Sequence, residues 1–172
     1  MNEASVVDLL EMTKEIGVDV WIDGGWGVDA LIGRQTREHD DIDFFVQKKD
    51  ATAFVEMLTS TGYCETMMDY TSDDHTAWRD SVGRTVDLHL FEFEGAESLR
   101  FENEIYPSSI LGGKGEIGGV PVQCLTVEAQ LQYHQGYEPD EKDALDVALL
   151  CKTFGLPIPD CFVSIIVSKG LT

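Results

Sequence analysis

The sequence contains few basic residues. Lys and Arg together number 12, against 32 Asp and Glu, so the 172-residue chain carries a formal net charge of −20. Binding to nucleic acids and to anionic membranes depends on clustered Lys and Arg, and neither is an expected partner of this chain. Strong negative charge instead attracts cationic small molecules and metal ions. The composition therefore favours a small cationic ligand or a metal.

The chain also lacks paired cysteines and long apolar runs. No C-x-x-C pair occurs, so a disulfide scaffold or a cysteine-rich zinc site is not expected. No segment approaches the ~20 apolar residues of a membrane-spanning helix, and the first 15 residues are acidic, unlike the basic start of a signal peptide. We therefore expect a cytoplasmic protein in which the four cysteines are reduced: Cys64, Cys124, Cys151 and Cys161.

Only five prolines and 43% hydrophobic residues argue against disorder and suit one folded domain. The order of elements predicts an α+β fold with a mixed sheet. We expect a core over residues 1–125, a helical part at 126–159 packed on the same domain, and a tail of uncertain structure at 160–172. Residues 92–119 are expected to form a mobile loop plus a hairpin. The predicted helices cover 4–16, 26–32, 50–62, 126–133 and 140–154, and the predicted strands 18–22, 41–46, 63–68, 75–82, 85–91 and 120–125.

Three aspartates lie on two of the predicted strands. Asp41 and Asp43 are two residues apart, so on a strand they point to the same face, with their Cα atoms about 6.6 Å apart. Asp87 lies on the strand at 85–91, on the face opposite its apolar neighbours, where an aspartate is costly unless it has a partner. If the two strands pair, the three carboxylates can face one site.

Three carboxylates in one cleft repel each other, and without a counter-ion at least one would be pushed towards protonation. Magnesium relieves this repulsion, since it prefers oxygen ligands and usually binds substrate phosphates as well. A pair of such ions can hold the attacking and the leaving oxygen of a phosphoryl transfer. The Gly24-Gly25 turn opens a short helix and presents backbone N–H groups that suit phosphate. Together these features predict nucleotide chemistry.

Two glycine patterns offer alternative interpretations of the sequence. The motif Gly-x-Gly-x-x-Ala at 25–30 fits a variant of the dinucleotide-binding fingerprint. However, the helix at 26–32 has only about two turns, too few for a crossover helix, and the acids open the next strand rather than end it. The glycine-rich run at 112–115 is not a P-loop, because no Ser or Thr follows its Lys.

Three segments carry a family resemblance. They are Trp-Ile-Asp-Gly-Gly-Trp-Gly-Val-Asp at 21–29, Thr-Arg-Glu-His-Asp-Asp-Ile-Asp at 36–43 and Thr-Val-Asp-Leu-His at 85–89. The chain resembles the small antibiotic nucleotidyltransferases, which include the lincosamide nucleotidyltransferases and the aminoglycoside 2''-nucleotidyltransferases of the DNA polymerase β-like superfamily. The resemblance covers most of residues 15–155. The segment at 130–137 looks more like the lincosamide enzymes.

The resemblance implies a small mixed-sheet nucleotidyltransferase fold and the transfer of AMP from ATP to a drug hydroxyl, with release of pyrophosphate. Asp41 and Asp43 would hold magnesium, with two ions expected. Asp87 would complete the metal site and take the hydroxyl proton, and Gly24 and Gly25 would bind the triphosphate. A carboxylate is a weak base for a sugar hydroxyl, so the metal would have to acidify that hydroxyl as well.

Further candidates surround this site. Arg37 is a candidate phosphate contact. Lys142 could neutralise pyrophosphate, although an i,i+4 ion pair with Asp146 on its own helix is the interpretation that we favour. The candidate acceptor contacts are the side chains of His89, Tyr133, His134 and Tyr137, with Glu138 as the partner of the acceptor cation.

The identity of the acceptor is less well determined by the sequence. A compact lincosamide needs one acidic contact and aromatic walls, whereas an aminoglycoside with three or four positive charges needs several carboxylates. We favour a lincosamide and leave open an aminoglycoside, another hydroxylated acceptor, and a non-catalytic nucleotide-binding module. The presence of all three mutually repelling carboxylates argues against the last alternative. A second subunit could complete the acceptor site, so a homodimer also stays open.

Overall fold

The computed structural model describes residues 1–136 and 138–170. Within these residues the helices are α1 (Glu3–Glu15), α2 (Gly24–Ile32), α3 (Ala51–Ser60), α4 (Val127–Tyr133), α5 (Glu141–Phe154) and α6 (Asp160–Lys169). The strands are β1 (Val20–Asp23), β2 (Asp41–Gln47), β3 (Cys64–Thr66), β4 (His75–Arg79), β5 (Thr85–Phe93), β6 (Ser98–Phe101), β7 (Glu104–Pro107), β8 (Gly113–Ile117) and β9 (Val120–Cys124).

The strands form one mixed sheet. Its main path runs β3-β4-β5-β2-β1-β9-β8, and β6 pairs with β5 and β7 outside this path. β2 is parallel to β5 and antiparallel to β1, while β1 is parallel to β9. This arrangement of a mixed sheet with helices confirms the predicted α+β fold.

One face of the sheet is covered by helices. Alternate residues of the central strands, among them Ile22, Phe44 and Leu88, are fully buried on this face and pack against α1, α2 and α3. Helix α1 begins after Asn2, whose side chain accepts a hydrogen bond from the Ser5 backbone N–H, as an N-cap residue does. Because side chains alternate along a strand, the residues between these apolar positions point to the opposite face.

The opposite face carries a second apolar cluster and leaves one end of the sheet open. Trp21, Phe45 and Phe91 pack there against β6, α4 and a short 3₁₀ helix at Ser108–Gly112. The prediction of a loop plus a hairpin for 92–119 is therefore only partly right. The segment forms the β6–β7 hairpin, the 3₁₀ helix and strand β8. Five of its apolar residues are buried: Leu99, Phe101, Ile110, Leu111 and Ile117.

The glycine-rich run lies in β8, where it lets the strand approach its neighbours closely. A Cβ on Gly113 would lie 2.3 Å from the carbonyl oxygen of Leu125, and a Cβ on Gly115 would lie 2.2 Å from that of Ala30 in α2. Both distances are far below van der Waals contact. These glycines are needed for packing.

The C-terminal helices pack on α2 through a third apolar cluster. Helix α5 begins with a capping box at Asp140 and ends at Gly155. The prediction of a tail at 160–172 is wrong for Asp160–Lys169, which forms α6. Phe162 and Ile166 lie one turn apart on that helix and are buried in the cluster. None of the helices of the described chain combines the length and the apolar character that a bilayer crossing requires.

Candidate active site

A row of aspartates crosses the open face of the sheet at one end. Asp43 on β2 is the register partner of Asp87 on β5 and of Asp23 on β1. Directly paired residues point to the same face, and so do residues two apart on one strand. The structure therefore brings Asp41, Asp43 and Asp87 to one face, as expected. It adds Asp23, which the sequence indicated only as part of a turn.

Burial and mutual repulsion disfavour ionisation of these carboxyls. Burial and the neighbouring carboxylates of Asp43 and Asp87 raise the pKa of Asp41 to about 6. Burial and Asp43 also raise the pKa of Asp23 to about 6, and they raise the pKa of Asp87 above its usual range. Such shifts are common where charge is concentrated for function.

Two side chains orient the aspartates. The Tyr70 hydroxyl donates a hydrogen bond to Asp87 Oδ1 at 2.8 Å, and His89 Nε2 lies 3.2 Å from Asp43 Oδ1. The His89 ring stacks on Phe45 and contacts the ring of His75, with centroids 4.9 and 4.1 Å apart. Burial opposes protonation of His89, but the Asp43 carboxylate outweighs it and raises the pKa of the ring.

The Gly24-Gly25 turn lies directly against the aspartates. Gly24 has a positive φ of 59°, and a Cβ there would lie 2.1 Å from Asp43 Oδ2. A Cβ on Gly25 would lie 2.4 Å from His39 Nδ1 and 2.5 Å from Arg37 Nη2. Helix α2, which is nine residues long, begins at this turn. The unpaired N–H groups of its first turn therefore lie beside the carboxylates.

A cavity of about 310 Å³ opens over the turn, and we call it the donor cavity. Arg37 lines it while also binding Asp146, with Nη2 and Oδ2 2.7 Å apart. Lys142 lines it too, with Nζ 2.6 Å from Asp40 Oδ2. The ion pair between Lys142 and Asp146 that we favoured is therefore wrong, since Asp146 is fully buried and faces Arg37 instead. The wall of the donor cavity is formed by Asp23, Gly24, Gly25, Arg37, Asp40, Asp41, Asp43, His89, Tyr133, His134, Asp140, Lys142 and Asp143.

A second cavity of about 510 Å³ adjoins the first, and we call it the acceptor cavity. Asp23, His89 and Tyr133 line both cavities and form the wall between them. Aromatic rings and carboxylates dominate the rest of its lining, most of it from the β6–β7 hairpin. These further residues are Phe45, His75, Phe101, Glu102, Glu104, Tyr106 and Gly136.

The structure places only some of the predicted acceptor contacts at the acceptor cavity. His89 and Tyr133 line the acceptor cavity, whereas His134 lines only the donor cavity and its Nδ1 lies 2.8 Å from the Gln130 carbonyl oxygen. Glu138 is exposed and lines neither cavity. Tyr137 lies outside the described residues.

Several buried polar atoms along the acceptor cavity lack a hydrogen-bond partner in the described part of the chain. Over residues 1–136 and 138–170, His89 Nδ1, Tyr133 Oη and His75 Nε2 are buried without a hydrogen bond. Buried polar groups are normally hydrogen-bonded, so such a cluster calls for a ligand or ordered water. His75 and the hairpin residues could not be identified from the sequence, because no short motif marks them.

The resemblance implies magnesium, and its ligands would come from the carboxylates of the acidic row. Within the described ranges, no three His, Cys, Asp or Glu side chains are already assembled as a metal site. The oxygen-only character of Asp41, Asp43 and Asp87 nevertheless suits magnesium, and a divalent cation would relieve the repulsion that raises the pKa of Asp41. The residues present fit the ion.

Comparison with known proteins identifies the family of this chain. The family model described as Aminoglycoside-2''-adenylyltransferase matches residues 5–150. The chain is 26% identical over 157 residues to a lincosamide resistance protein of Staphylococcus haemolyticus, covering 86% of this chain and 92% of that protein. It is 29% identical over 148 residues to a 2''-aminoglycoside nucleotidyltransferase of Escherichia coli, covering 80% of this chain and 75% of that protein.

Solved structures share the fold. The lincosamide antibiotic adenylyltransferase LnuA with bound lincomycin matches with a TM-score of 0.76 and 26% identity, over 87% of this chain and 96% of that one. ANT(2")-Ia in complex with adenylyl-2"-tobramycin matches with a TM-score of 0.75 and 21% identity, over 98% of both chains, which shows the fold alone. The resemblance inferred from the sequence is confirmed. The chain belongs to the aminoglycoside-2''-adenylyltransferase family of antibiotic-modifying nucleotidyltransferases.

Proposed function

We propose that this protein transfers AMP from ATP to a hydroxyl group of a lincosamide antibiotic and releases pyrophosphate. The observation that carries the proposal is the register of Asp43 with Asp87, beside the Gly24-Gly25 turn. Asp41 and Asp43 line the donor cavity, and Asp23 lines both cavities. The donor cavity suits an anionic nucleotide. The acceptor cavity has aromatic walls and carboxylates, which suit a cationic acceptor. Asp23, the register partner of Asp43, lies where the two substrates would meet.

On the donor side, the chain supplies local positive charge within a strongly acidic protein. The backbone N–H groups at the start of α2 and the side chains of Arg37 and Lys142 would bind the phosphates. Charges more than about 8 Å away are largely screened at physiological salt. These nearby groups can therefore hold a nucleotide despite the net charge of −20.

The chemical step is an in-line exchange of oxygens at the α-phosphorus. The acceptor hydroxyl oxygen forms the new bond to phosphorus, the bond from that phosphorus to the bridging α,β-oxygen breaks, and pyrophosphate leaves. Asp87 takes the hydroxyl proton on the carboxylate oxygen that Tyr70 does not hold. Magnesium bound by Asp41, Asp43 and Asp87 would acidify the hydroxyl and neutralise phosphate charge.

On the acceptor side, the cavity offers aromatic walls and a few charges. Phe45, Phe101 and Tyr133 present apolar surface, and His89 Nδ1 and the Tyr133 hydroxyl offer hydrogen bonds to a polyhydroxylated ligand. A protonated amine of the acceptor would face Asp23, Glu102 or Glu104. The aromatic walls suit a compact lincosamide, whose single positive charge needs only one of these carboxylates. The lincosamide resistance relative supports the same acceptor.

An aminoglycoside is the second candidate acceptor. The specific observation in its favour is that three carboxylates, those of Asp23, Glu102 and Glu104, line the acceptor cavity. Several carboxylates suit a ligand with several ammonium groups. The 2''-aminoglycoside nucleotidyltransferase relative supports this alternative.

The test is a product analysis. The purified protein is incubated with ATP, magnesium and a panel of lincosamides and aminoglycosides, and the products are weighed by mass spectrometry. A lincosamide carrying one AMP, with equimolar pyrophosphate, is the expected result, and Asp43→Asn is the inactive control. Adducts on aminoglycosides alone would favour the second candidate. Nucleotide binding without any adduct would indicate a non-catalytic module.

A further inference from the structure

We propose that Asp146 is a positioning residue for the nucleotide, because it holds the Arg37 guanidinium against the Gly24-Gly25 turn where the donor triphosphate would bind. The inference rests on the proposed function, which gives Arg37 a phosphate ligand. Asp146 lies on α5, 109 residues after Arg37, and does not line the donor cavity itself. Through this residue the C-terminal helices take part in the donor site.

The contact between the two side chains fixes the plane of the guanidinium. Arg37 Nε donates to Asp146 Oδ1 at 3.0 Å, and Nη2 donates to Oδ2 at 2.7 Å. The third nitrogen, Nη1, donates to the Glu38 carbonyl oxygen at 3.1 Å. A two-point contact between arginine and carboxylate sets direction as well as energy. Arg37 is thus held in a single orientation.

Burial of the carboxylate points to a role beyond fastening a loop. Asp146 is 0% exposed, and His134 Nε2 lies 3.9 Å from its Oδ2. Burial alone would raise the pKa of Asp146, but the neighbouring His134 and Arg37 hold it below its usual range. Apolar residues of similar volume often replace a buried ion pair without loss of stability. Stability alone is therefore a weak explanation for the presence of the buried ion pair between Arg37 and Asp146.

The guanidinium is held where a phosphate contact is needed. Nη2 comes so close to Gly25 that a Cβ there would lie only 2.5 Å away. The cation therefore adjoins the N-terminus of α2, and the two positive features act on the same region. Asp29 and Asp41 are also near enough to attract Arg37. Without Asp146, the guanidinium would be free to turn towards Asp41, a candidate metal ligand.

The experiment separates positioning from structure by comparing the two substrates. Asp146→Asn keeps the shape of the side chain but removes the charge. We expect the KM for MgATP to rise about tenfold, the loss of one well-oriented charged contact, while the KM for the antibiotic and kcat change less than threefold. Binding of MgATP without acceptor, measured by calorimetry, should weaken by the same factor. Glu141 lies on α5 like Asp146, and Glu141→Gln breaks an exposed ion pair to Lys169 of α6. This variant is the matched control and should leave all four values unchanged.

A double-mutant cycle tests whether Asp146 acts through Arg37. In an Arg37→Met background, Asp146→Asn should raise the KM for MgATP no further. An unchanged KM in Asp146→Asn, an equal rise in both KM values, or full additivity in the cycle would each overturn the proposal. If Asp146→Asn does not fold, Arg37→Lys replaces it, since lysine keeps the charge but not the two-point contact. A raised KM for MgATP then supports the proposal, and an unchanged one overturns it.

An inactive wild-type protein would be a failure of the proposed function instead. In that case the calorimetric comparison of wild type and Asp146→Asn still decides the positioning role. Weaker MgATP binding in the variant supports it, and equal binding overturns it.

Discussion

Asp43 and Asp87 are register partners on the parallel strands β2 and β5, so their carboxylates leave the same face of the sheet side by side. Their surroundings differ. Asp43 meets His89 and the Gly24 turn, whereas Asp87 accepts a hydrogen bond from Tyr70. Under the proposed function these two chemically identical groups would have different tasks: Asp43 would hold the donor and its metal, and Asp87 would take the proton.

Asp87→Asn tests this division of labour. We expect kcat to fall at least 1,000-fold, because an amide cannot take the hydroxyl proton, while the affinity for MgATP changes less than threefold. Single-turnover kinetics and nucleotide binding measure the two effects separately. Asp19→Asn, which alters an exposed carboxylate just before β1, is the control. A variant in which only KM moved would assign Asp87 to binding rather than to chemistry.

Asp23→Asn tests how much the charge of a buried carboxylate lowers the free energy of unfolding. Asp23 has its pKa raised from 3.8 to about 6 by burial and by Asp43, so the folded protein holds this proton more tightly than the unfolded chain. The resulting stability is fully present below pH 3.8 and is lost as the pH rises through about 6. Compared with wild type without metal, the variant should be more stable by roughly 1 to 3 kcal/mol at pH 7.5.

At pH 4 the two proteins should be nearly equal in free energy of unfolding, which urea titrations in the presence of a chelator would measure. A difference that does not depend on pH would show that the Asp23 charge is not the cause.

The β6–β7 hairpin is expected to determine how strongly the acceptor binds. Replacing both hairpin acids, Glu102→Gln and Glu104→Gln, should raise the KM for the cationic antibiotic about tenfold, because the hairpin then offers no carboxylate to the amine of the antibiotic. The KM for MgATP should not change. Glu116→Gln on β8 removes an exposed carboxylate outside both cavities and provides the control. If the double variant and the wild type had the same KM for the antibiotic, its amine would not bind at the hairpin.

The Gly24 turn allows a test in which steric conflict is separated from backbone strain. Gly24 and Gly33, at the two ends of α2, both have positive φ, but only Gly24 has a neighbour, Asp43 Oδ2, where a Cβ would stand. Gly33→Ala should cost about 1 kcal/mol of stability and leave activity intact. Gly24→Ala should cost more and reduce turnover at least 100-fold, because Asp43 must move. Thermal unfolding and steady-state rates measure both effects.

Much of the site follows from local pattern. The alternation of Asp41 and Asp43 along one strand, and the polar position of Asp87 within an apolar one, determine the face on which each side chain lies. A motif of adjacent residues can also be compared directly with a family. Helix α6 was missed for the opposite reason, since its burial depends on apolar contacts with α5 that a short sequence window does not contain.

Contacts between distant parts of the chain could not be predicted. Asp146 sits at the spacing of an i,i+4 ion pair with Lys142, yet tertiary packing turns it towards Arg37 and leaves Lys142 to Asp40. Asp23 looked like a turn residue, because only its register with Asp43 shows that it belongs to the acidic row. Pairings of this kind are determined by the sheet and not by sequence spacing.

The wall that Asp23, His89 and Tyr133 share between the two cavities has a consequence for product release. An adenylylated antibiotic is one molecule whose two halves would occupy the donor cavity and the acceptor cavity at once. It would therefore bind more tightly than either substrate alone. Dissociation of this product would then be the rate-limiting step of turnover. A stable mimic that links adenosine to the drug should displace either substrate and bind more tightly than both.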